Sequence, residues 1–312
     1  MKYSLLLLLA FFNAIPLLHA QKQGHALIDS LASKAPYGIN DSSKVLILCK
    51  ISELYAPISG DTGVRYGEKA LALTKEIDWK PGSVYANLAL GNNYIVTADH
   101  AKALSCFFEA LKVSEALKDQ TDMAASLGNI GNVYYRQKDY DKAFEYYEKA
   151  YKMFSALGIK EKMATNLGNM GNIYSHYFDT SVSNKEAMTA NKAKTLAYYD
   201  RAYQIYKEVG NKNGMARNLG NAGNIYVHDD DKTEALEHYS EAMKMYEELG
   251  NKAATAAFRI NIAGIYVGVA EDTTGKQKID NKTRADRNIL LDKGIAIAQP
   301  AVKLAAESGY QC

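Results

Sequence analysis

The chain is poor in the features that usually staple or charge a fold, and each shortage excludes something. Its three cysteines, Cys49, Cys106 and Cys312, are far apart and odd in number, with no CxxC pair or metal-ligand spacing. Disulfides therefore do not hold this fold together, and Cys49 and Cys106 read as small buried thiols among apolar helical residues. No charge sign dominates: 37 Lys plus Arg face 35 Asp plus Glu, a formal net charge of +2. That balance argues against nucleic acid or an acidic membrane as the main ligand, since either requires a basic face. Catalytic signatures are missing too. There is no Ser/His/Asp arrangement, HExxH, phosphate loop after a strand or acid pair in a catalytic context. Gly128-x-x-Gly131 lies within a helical pattern, so a nucleotide reading fails on context. The sequence predicts no enzyme and no cofactor.

Long apolar runs are equally scarce. The longest opens the chain: Lys2 supplies a positive start, Leu5 to Phe12 are unbroken apolar, and Pro16 precedes Leu18-His19-Ala20. Eight clean apolar residues fall short of the ~20 that cross a bilayer core. The pattern predicts a secretory signal cleaved near Ala20, leaving an exported (periplasmic or secreted) protein that starts at Gln21. No cysteine follows the run to carry a lipid anchor.

What is abundant is self-similarity. Leu127-Gly-Asn-Ile-Gly-Asn-Val-Tyr134, Leu167-Gly-Asn-Met-Gly-Asn-Ile-Tyr174 and Leu219-Gly-Asn-Ala-Gly-Asn-Ile-Tyr226 are near copies, and weaker copies end at Tyr94 and Tyr266. These tyrosines step by 40, 40, 52 and 40 residues; Ala70, Ala110, Ala150, Ala202 and Ala242 keep the same steps. Two independent markers thus share one period and one twelve-residue insertion, the mark of a repeat array.

Each unit reads as two helices. Leu127, Ile130, Gly131 and Tyr134 share one face of a helix over Met123 to Gln137, and Lys138-Asp139 turns the chain. Ala143, Tyr147, Ala150 and Tyr151 share a side of the second helix, Tyr140 to Leu157. Gly158, Gly210 and Gly250 suit left-handed C-caps. Gly131 and Ala143 are small because helices cross there about 8–10 Å apart. This pattern resembles the tetratricopeptide repeat (TPR) family. Leu127 stands at the family's usual Trp position, Ile130 at its Leu, Gly131 at its small residue and Tyr134 at its first aromatic. Ala143, Tyr147 and Ala150 take the second-helix positions, and Gly91, Gly171, Gly223 and Ala263 repeat the small position. The resemblance spans about residues 41 to 309 and implies an all-α, right-handed α-solenoid of about six units, the first and last degenerate. The 40-residue period exceeds the usual ~34, similar to the extended repeats of kinesin light chain and LGN-type scaffolds. The family's terminal proline is absent, with Ser155 near its place.

The expected boundaries are a signal peptide over 1–20, a lead segment over 21–40 with a short helix from His25 to Ser33, and units over about 41–80, 81–120, 121–160, 161–212, 213–252 and 253–312. The first unit reads as Asp41 to Ala56 and Thr62 to Ile77. Polar insertions at 179–192 and 271–286 fall between the helices of a unit and are expected as solvent loops. Pro300 should kink or delay the last helix, Arg287 to Glu307.

On a wheel of 100° per residue, Asn129 and Asn132 lie opposite the buried face, with Arg136. The TPR resemblance assigns that face to a concave groove. Asparagine recurs there as Asn92, Asn132, Asn172 and Asn224, and in a parallel row as Asn129, Asn169, Asn221 and Asn261. Asparagine is a middling helix former, so local stability does not ask for it. Its carboxamide either pairs with the peptide bonds of an extended chain or orders the stack by bonding neighbouring helices; the two are compatible. Arg136, His176 and His228 form a further column, with Arg217 on a neighbouring helix, suited to acidic side chains or a terminal carboxylate. No third residue completes a metal site with the two histidines. The 23 tyrosines read mainly as packing, with stacking on a base or sugar the alternative. Asp229-Asp230-Asp231 lacks calcium-loop spacing and reads as a helix end and cap.

The sequence therefore points to a non-catalytic scaffold binding an extended peptide or protein partner in the groove, with no nucleic acid and no integral membrane segment. Resemblance to exported bacterial TPR proteins offers an alternative: the extracytoplasmic sensor region of a membrane signalling protein such as a histidine kinase, nucleotide cyclase or transcriptional regulator. The final helix without a polar capping helix suggests truncation or an unusual cap, and the open end leaves room for end-to-end self-association.

Overall fold

Helix ends set the rhythm of the backbone. At six of the turns a residue with positive φ directly precedes an Asp or Asn that caps the next helix. The pairs are Ala98 (φ 60°) with Asp99, Lys118 (59°) with Asp119, Lys138 (63°) with Asp139, Gly210 (70°) with Asn211, Asp230 (58°) with Asp231 and Gly250 (66°) with Asn251. The left-handed residue reverses the chain, and the capping oxygen satisfies an orphan amide. Asp119 accepts from the Thr121 and Asp122 amides at 3.0 Å, and Asn211 from Gly214 at 2.8 Å. Such a cap contributes about 1 kcal/mol. Asp231 fills the capping role read from the aspartate run, accepting from the Glu234 amide at 3.3 Å.

The structure, a computed structural model, describes residues 27–31, 41–181, 183–272, 289 and 291–300. Residues 27–31 are helical, and eleven longer helices follow: α1 Asp41–Tyr55, α2 Gly60–Glu76, α3 Lys80–Val96, α4 His100–Leu117, α5 Gln120–Arg136, α6 Tyr140–Ala156, α7 Lys160–Thr180, α8 Lys185–Glu208, α9 Lys212–His228, α10 Lys232–Glu248 and α11 Lys252–Asp272. Residues 291–300, through Pro300, are also helical. Among the described residues there is no strand. The helices pair as the repeat predicts. α5 starts three residues before the expected Met123 because Asp119 caps it.

The described residues fall into two compact bodies, divided between Ile173 and Tyr174. In the first, α3 packs on α4 and α5 on α6, while the first helices of adjacent units also touch, α1 on α3 and α3 on α5. Second-helix alanines sit at the crossings: Ala103, Ala110, Ala143 and Ala150 are fully buried. Their small volume lets Phe107, Ile130 and Val133 fill one core layer and Leu127 and Phe154 the next. Each large side chain so buried stabilises by about 1.5–3 kcal/mol. In the second body α8, α9 and α10 repeat the scheme, with Ala202, Ala235 and Ala242 at the crossings and Thr195 where an alanine is expected; its hydroxyl donates to Asn191 O at 2.8 Å. Cys49 and Cys106 are free and buried, as read from the sequence.

One expectation is corrected. The 179–192 insertion is not a solvent loop. α7 is 21 residues long against 17 for α5, and α8 is 24 against 17 for α6. The connection, 181–184, is one residue longer than 137–139. Four, seven and one account for all twelve, so the insertion continues the two helices past the body of the unit. Helix propagation adds a hydrogen bond per residue without new nucleation, and Asn184 caps the new start by accepting from the Ala187 amide at 3.0 Å. The signal segment, most of the 271–286 insertion, Cys312 and the end of the last helix lie outside the described residues.

α11 is long and apolar enough over Lys252–Ala270 to cross a membrane, with mean hydropathy 1.4. Here Ile262 and Ile265 pack on Ala235 and Tyr239 of α10, so that apolarity also builds the core of a repeat unit.

Candidate functional site

On α5, Leu127, Ile130 and Val133 point into the core, and Gly131 lies against Tyr147 of α6. Asn132 follows next in sequence and is half-buried beside that seam. Its Oδ1 accepts from the Tyr147 hydroxyl at 2.9 Å and from Asn169 Nδ2, one unit on, at 3.4 Å. Its Nδ2 donates to Asn129 Oδ1 at 3.3 Å. A line of three carboxamides thus joins two units, braced from behind by a phenol. Tyr147 is 2 % exposed, and burial pushes its hydroxyl well above the ordinary phenol range, so it stays a neutral donor.

These groups open onto a recess of about 350 Å³ lined by Asn92 and Ile95 of α3, Asn132, Tyr135 and Arg136 of α5, Tyr147 of α6, and Asn169 and Asn172 of α7. Five residues singled out from the sequence, Asn92, Asn132, Asn169, Asn172 and Arg136, therefore meet in one cavity supplied by the first helices of three successive units, and Asn129 joins them through Asn132. Arg136 is exposed at its edge. There is no carboxylate among its described lining residues, so Arg136 gives this lining a net positive charge, and the lining is rich in amide donors and acceptors.

The remaining candidates lie in the second body. Asn224 accepts from the Tyr239 hydroxyl at 2.5 Å, repeating the Asn132–Tyr147 pair fifteen residues apart. Burial pushes Tyr239 up to about 12. Asn221 is half-buried and Asn261 exposed. Arg217 is engaged within its own body: its guanidinium donates to the Tyr206 hydroxyl at 3.0 Å and stands 5.9 Å from that ring's centre. His228 lies 3.7 Å from Asp179 and edge-on to Phe178, while His176 sits against Tyr177. Among the described residues, no group of three or more His, Cys, Asp or Glu is placed to hold a metal.

Sequence reasoning read Tyr135 and Tyr147, with the other tyrosines, mainly as packing and passed over Ile95. The missed signal was the recurring fifteen-residue interval between a first-helix asparagine and a second-helix tyrosine. At the matching place one unit earlier, Phe107 stands opposite Asn92 and has no hydroxyl to give it.

The family described as Tetratricopeptide repeat matches this sequence over residues 83–156, 122–181 and 191–248, together just over half of the chain. No curated protein matches it by sequence. Among solved structures it is similar to BtubC (BKLC) from P. vanneervenii, with TM-score 0.62 and 19% identity over 81% of this chain and 94% of that one. A signal transduction ATPase (STAND) with a tetratricopeptide repeat sensor from Pyrococcus horikoshii gives TM-score 0.61 and 16% identity; 91% of this chain covers 40% of that one. The Rap conjugation gene regulator of plasmid pLS20, solved with the Phr* peptide, gives TM-score 0.55 and 15% identity over 97% of this chain and 72% of that one. At such identities these likenesses speak to the fold, and with the repeat match they lead to one conclusion: the chain belongs to the tetratricopeptide repeat family.

Proposed function

We propose that this protein is a non-catalytic scaffold that holds an extended peptide, or an extended segment of a partner protein, along the amide-lined recess of its first body. The observation that carries this reading is the convergence of Asn92, Asn132, Asn169 and Asn172 with Arg136 on one open cavity. Carboxamides offer a donor pair and an acceptor at fixed spacing, matching the peptide bonds of an extended chain whatever its side chains. The arginine adds a charge-assisted anchor for an acidic side chain or terminal carboxylate. The lining groups are amides, phenols and a guanidinium, none of which changes charge near neutral pH, and that suits holding better than proton transfer. A peptide in the solved Rap conjugation regulator is consistent with this use of the fold. The same proposal takes the apolar run Leu5 to Phe12 as a leader and so puts the site of action outside the cytoplasm.

The test is selection of binders from a displayed random-peptide library against the mature chain. Selected peptides should lose at least tenfold in affinity for an Asn92→Ala/Asn169→Ala/Arg136→Ala variant whose helical circular dichroism is unchanged. Equal affinity would remove the recess as the site. Asn132 is left intact because its loss also strips Tyr147 of its acceptor.

A further inference from the structure

A second recess, of about 340 Å³, lies in the other body, between α8 and α10 over α9. It is independent of the groove reading. Two of its α9 residues, Ala222 and Tyr226, project about 160° around that helix from Asn224. The repeat supplies an internal comparison, because every residue here has a counterpart 92 positions earlier between α4 and α6. There the space is full: Ile130 is fully buried, Phe108 meets Tyr146 edge-on at 6.4 Å, and Leu111 packs on the same cluster. Here Ala222 replaces Ile130, Asp200 replaces Phe108, Tyr203 replaces Leu111, His238 replaces Tyr146 and Glu241 replaces Lys149. Bulk has been removed, apolar groups have become acids and hydroxyls, and a lysine has changed sign.

What lines the hollow has one preference. Two carboxylates, Asp200 and Glu241, line it, and there is no lysine or arginine among its described lining residues. One oxygen of each is held by a neighbour, Asp200 Oδ1 by Gln204 at 3.1 Å and Glu241 Oε1 by the Tyr203 hydroxyl at 3.2 Å, which fixes the acids in place. Asn218 is 2 % exposed, and its Nδ2 donates to Gly214 O at 2.8 Å. His238 Nδ1 lies 2.9 Å from the Glu234 carbonyl and donates to it, which leaves Nε2 as an acceptor when the ring is neutral. Tyr226 offers an aromatic face that already takes an ammonium, Lys192 Nζ at 5.1 Å from the ring centre, tethered to Asp229. Acids, acceptors and aromatic rings around one hollow are the recognition chemistry of an organic cation.

We infer that this recess is a binding site for a guanidinium or alkylammonium group, borne either by a free small molecule or by an arginine or lysine of a partner protein. Titration of the mature chain with butylguanidinium, followed by NMR shifts and calorimetry, tests it against the neutral isostere butylurea. Saturable binding at least tenfold tighter for the cation is expected. It should be lost in Asp200→Asn/Glu241→Gln and in Ala222→Ile, which refills the hollow as Ile130 fills its counterpart, and retained in Asn92→Ala of the other recess. Should Ala222→Ile fail to fold by circular dichroism, Asp200→Phe restores the counterpart residue and serves instead. No saturable binding of butylguanidinium at millimolar concentration, or unchanged binding after refilling, overturns the inference. N-acetyl-arginine methylamide separates the sources: binding as tight as butylguanidinium points to a partner's side chain, and much weaker binding to a free ligand.

Discussion

Two glycines three residues apart on α5 should respond to alanine in opposite directions. At Gly131 an added Cβ would lie 2.7 and 2.8 Å from Cδ1 and Cε1 of Tyr147 and 3.3 Å from the Ala143 carbonyl oxygen. The ring has nowhere to go: it is 2 % exposed and its hydroxyl is held by Asn132 at 2.9 Å. Overpacking of this kind costs about 1–3 kcal/mol, and the better helix propensity of alanine offsets about 1 kcal/mol of it. Gly131→Ala should therefore lose up to about 2 kcal/mol. At Gly128 the nearest atom to a new Cβ is Asn166 Oδ1 at 3.4 Å, an ordinary contact, so Gly128→Ala should gain about 0.5–1 kcal/mol. Urea unfolding followed by helical circular dichroism reads both as midpoint shifts at unchanged slope. A Tyr147→Leu background should shrink the Gly131→Ala penalty. If the two alanines stabilise alike, the close crossing of α5 and α6 is wrong and propensity alone governs this helix.

Three further outcomes follow from the geometry. Lys138→Gly and Ala98→Gly relieve left-handed side-chain residues at φ 63° and 60° and should each raise stability by up to about 1–2 kcal/mol, whereas Gly158→Ala at φ 69° should lower it; thermal midpoints of the three variants check the signs. Burial pushes the thiols of Cys49 up to about 12 and of Cys106 up to about 11. In a Cys312→Ser variant, aromatic disulfide reagents at pH 8 should therefore react only as fast as the protein unfolds, and rapid native labelling would contradict the packing. Burial raises Tyr239 from 10.0 to about 12 in the fold, so its contribution is complete below pH 10 and fades as pH rises toward 12. Unfolding midpoints measured from pH 8 to 12 should fall along that window, and Tyr239→Phe should flatten the fall.

Much of the fold was legible because a repeat states its rule several times. Leu127, Ile130, Gly131 and Tyr134 recur with one spacing, so helix faces, crossings and the glycine turns at 158, 210 and 250 followed from periodicity and steric size. What was not legible depends on contacts between elements. Ala98, Lys118 and Lys138 adopt left-handed backbone without being glycine, because capping and hairpin packing override their own preference. The 179–192 segment is polar in composition, which describes a solvated helix as well as a loop, and only its continuity with α7 and α8 separates the two. At the site, the residue types and the face were readable from the wheel. The partner of each amide was not: Asn132 finds Tyr147 through the pairing of two helices, and Arg217 finds Tyr206 across a turn.

The division of the twelve inserted residues has a consequence for how such chains change length. Four residues rotate a helix by about 400° and seven by about 700°, within roughly 40° and 20° of complete revolutions. The added material therefore keeps the azimuth of everything beyond it: Tyr174 still stacks on Tyr198 as Tyr134 does on Tyr146, at 5.5 Å in both hairpins. The tip of each hairpin is thus a free extension point, provided growth comes in near-integral turns on each limb. Lengths that leave a helix half a revolution out would turn its apolar stripe toward water, so tip variants of this architecture should cluster at discrete sizes.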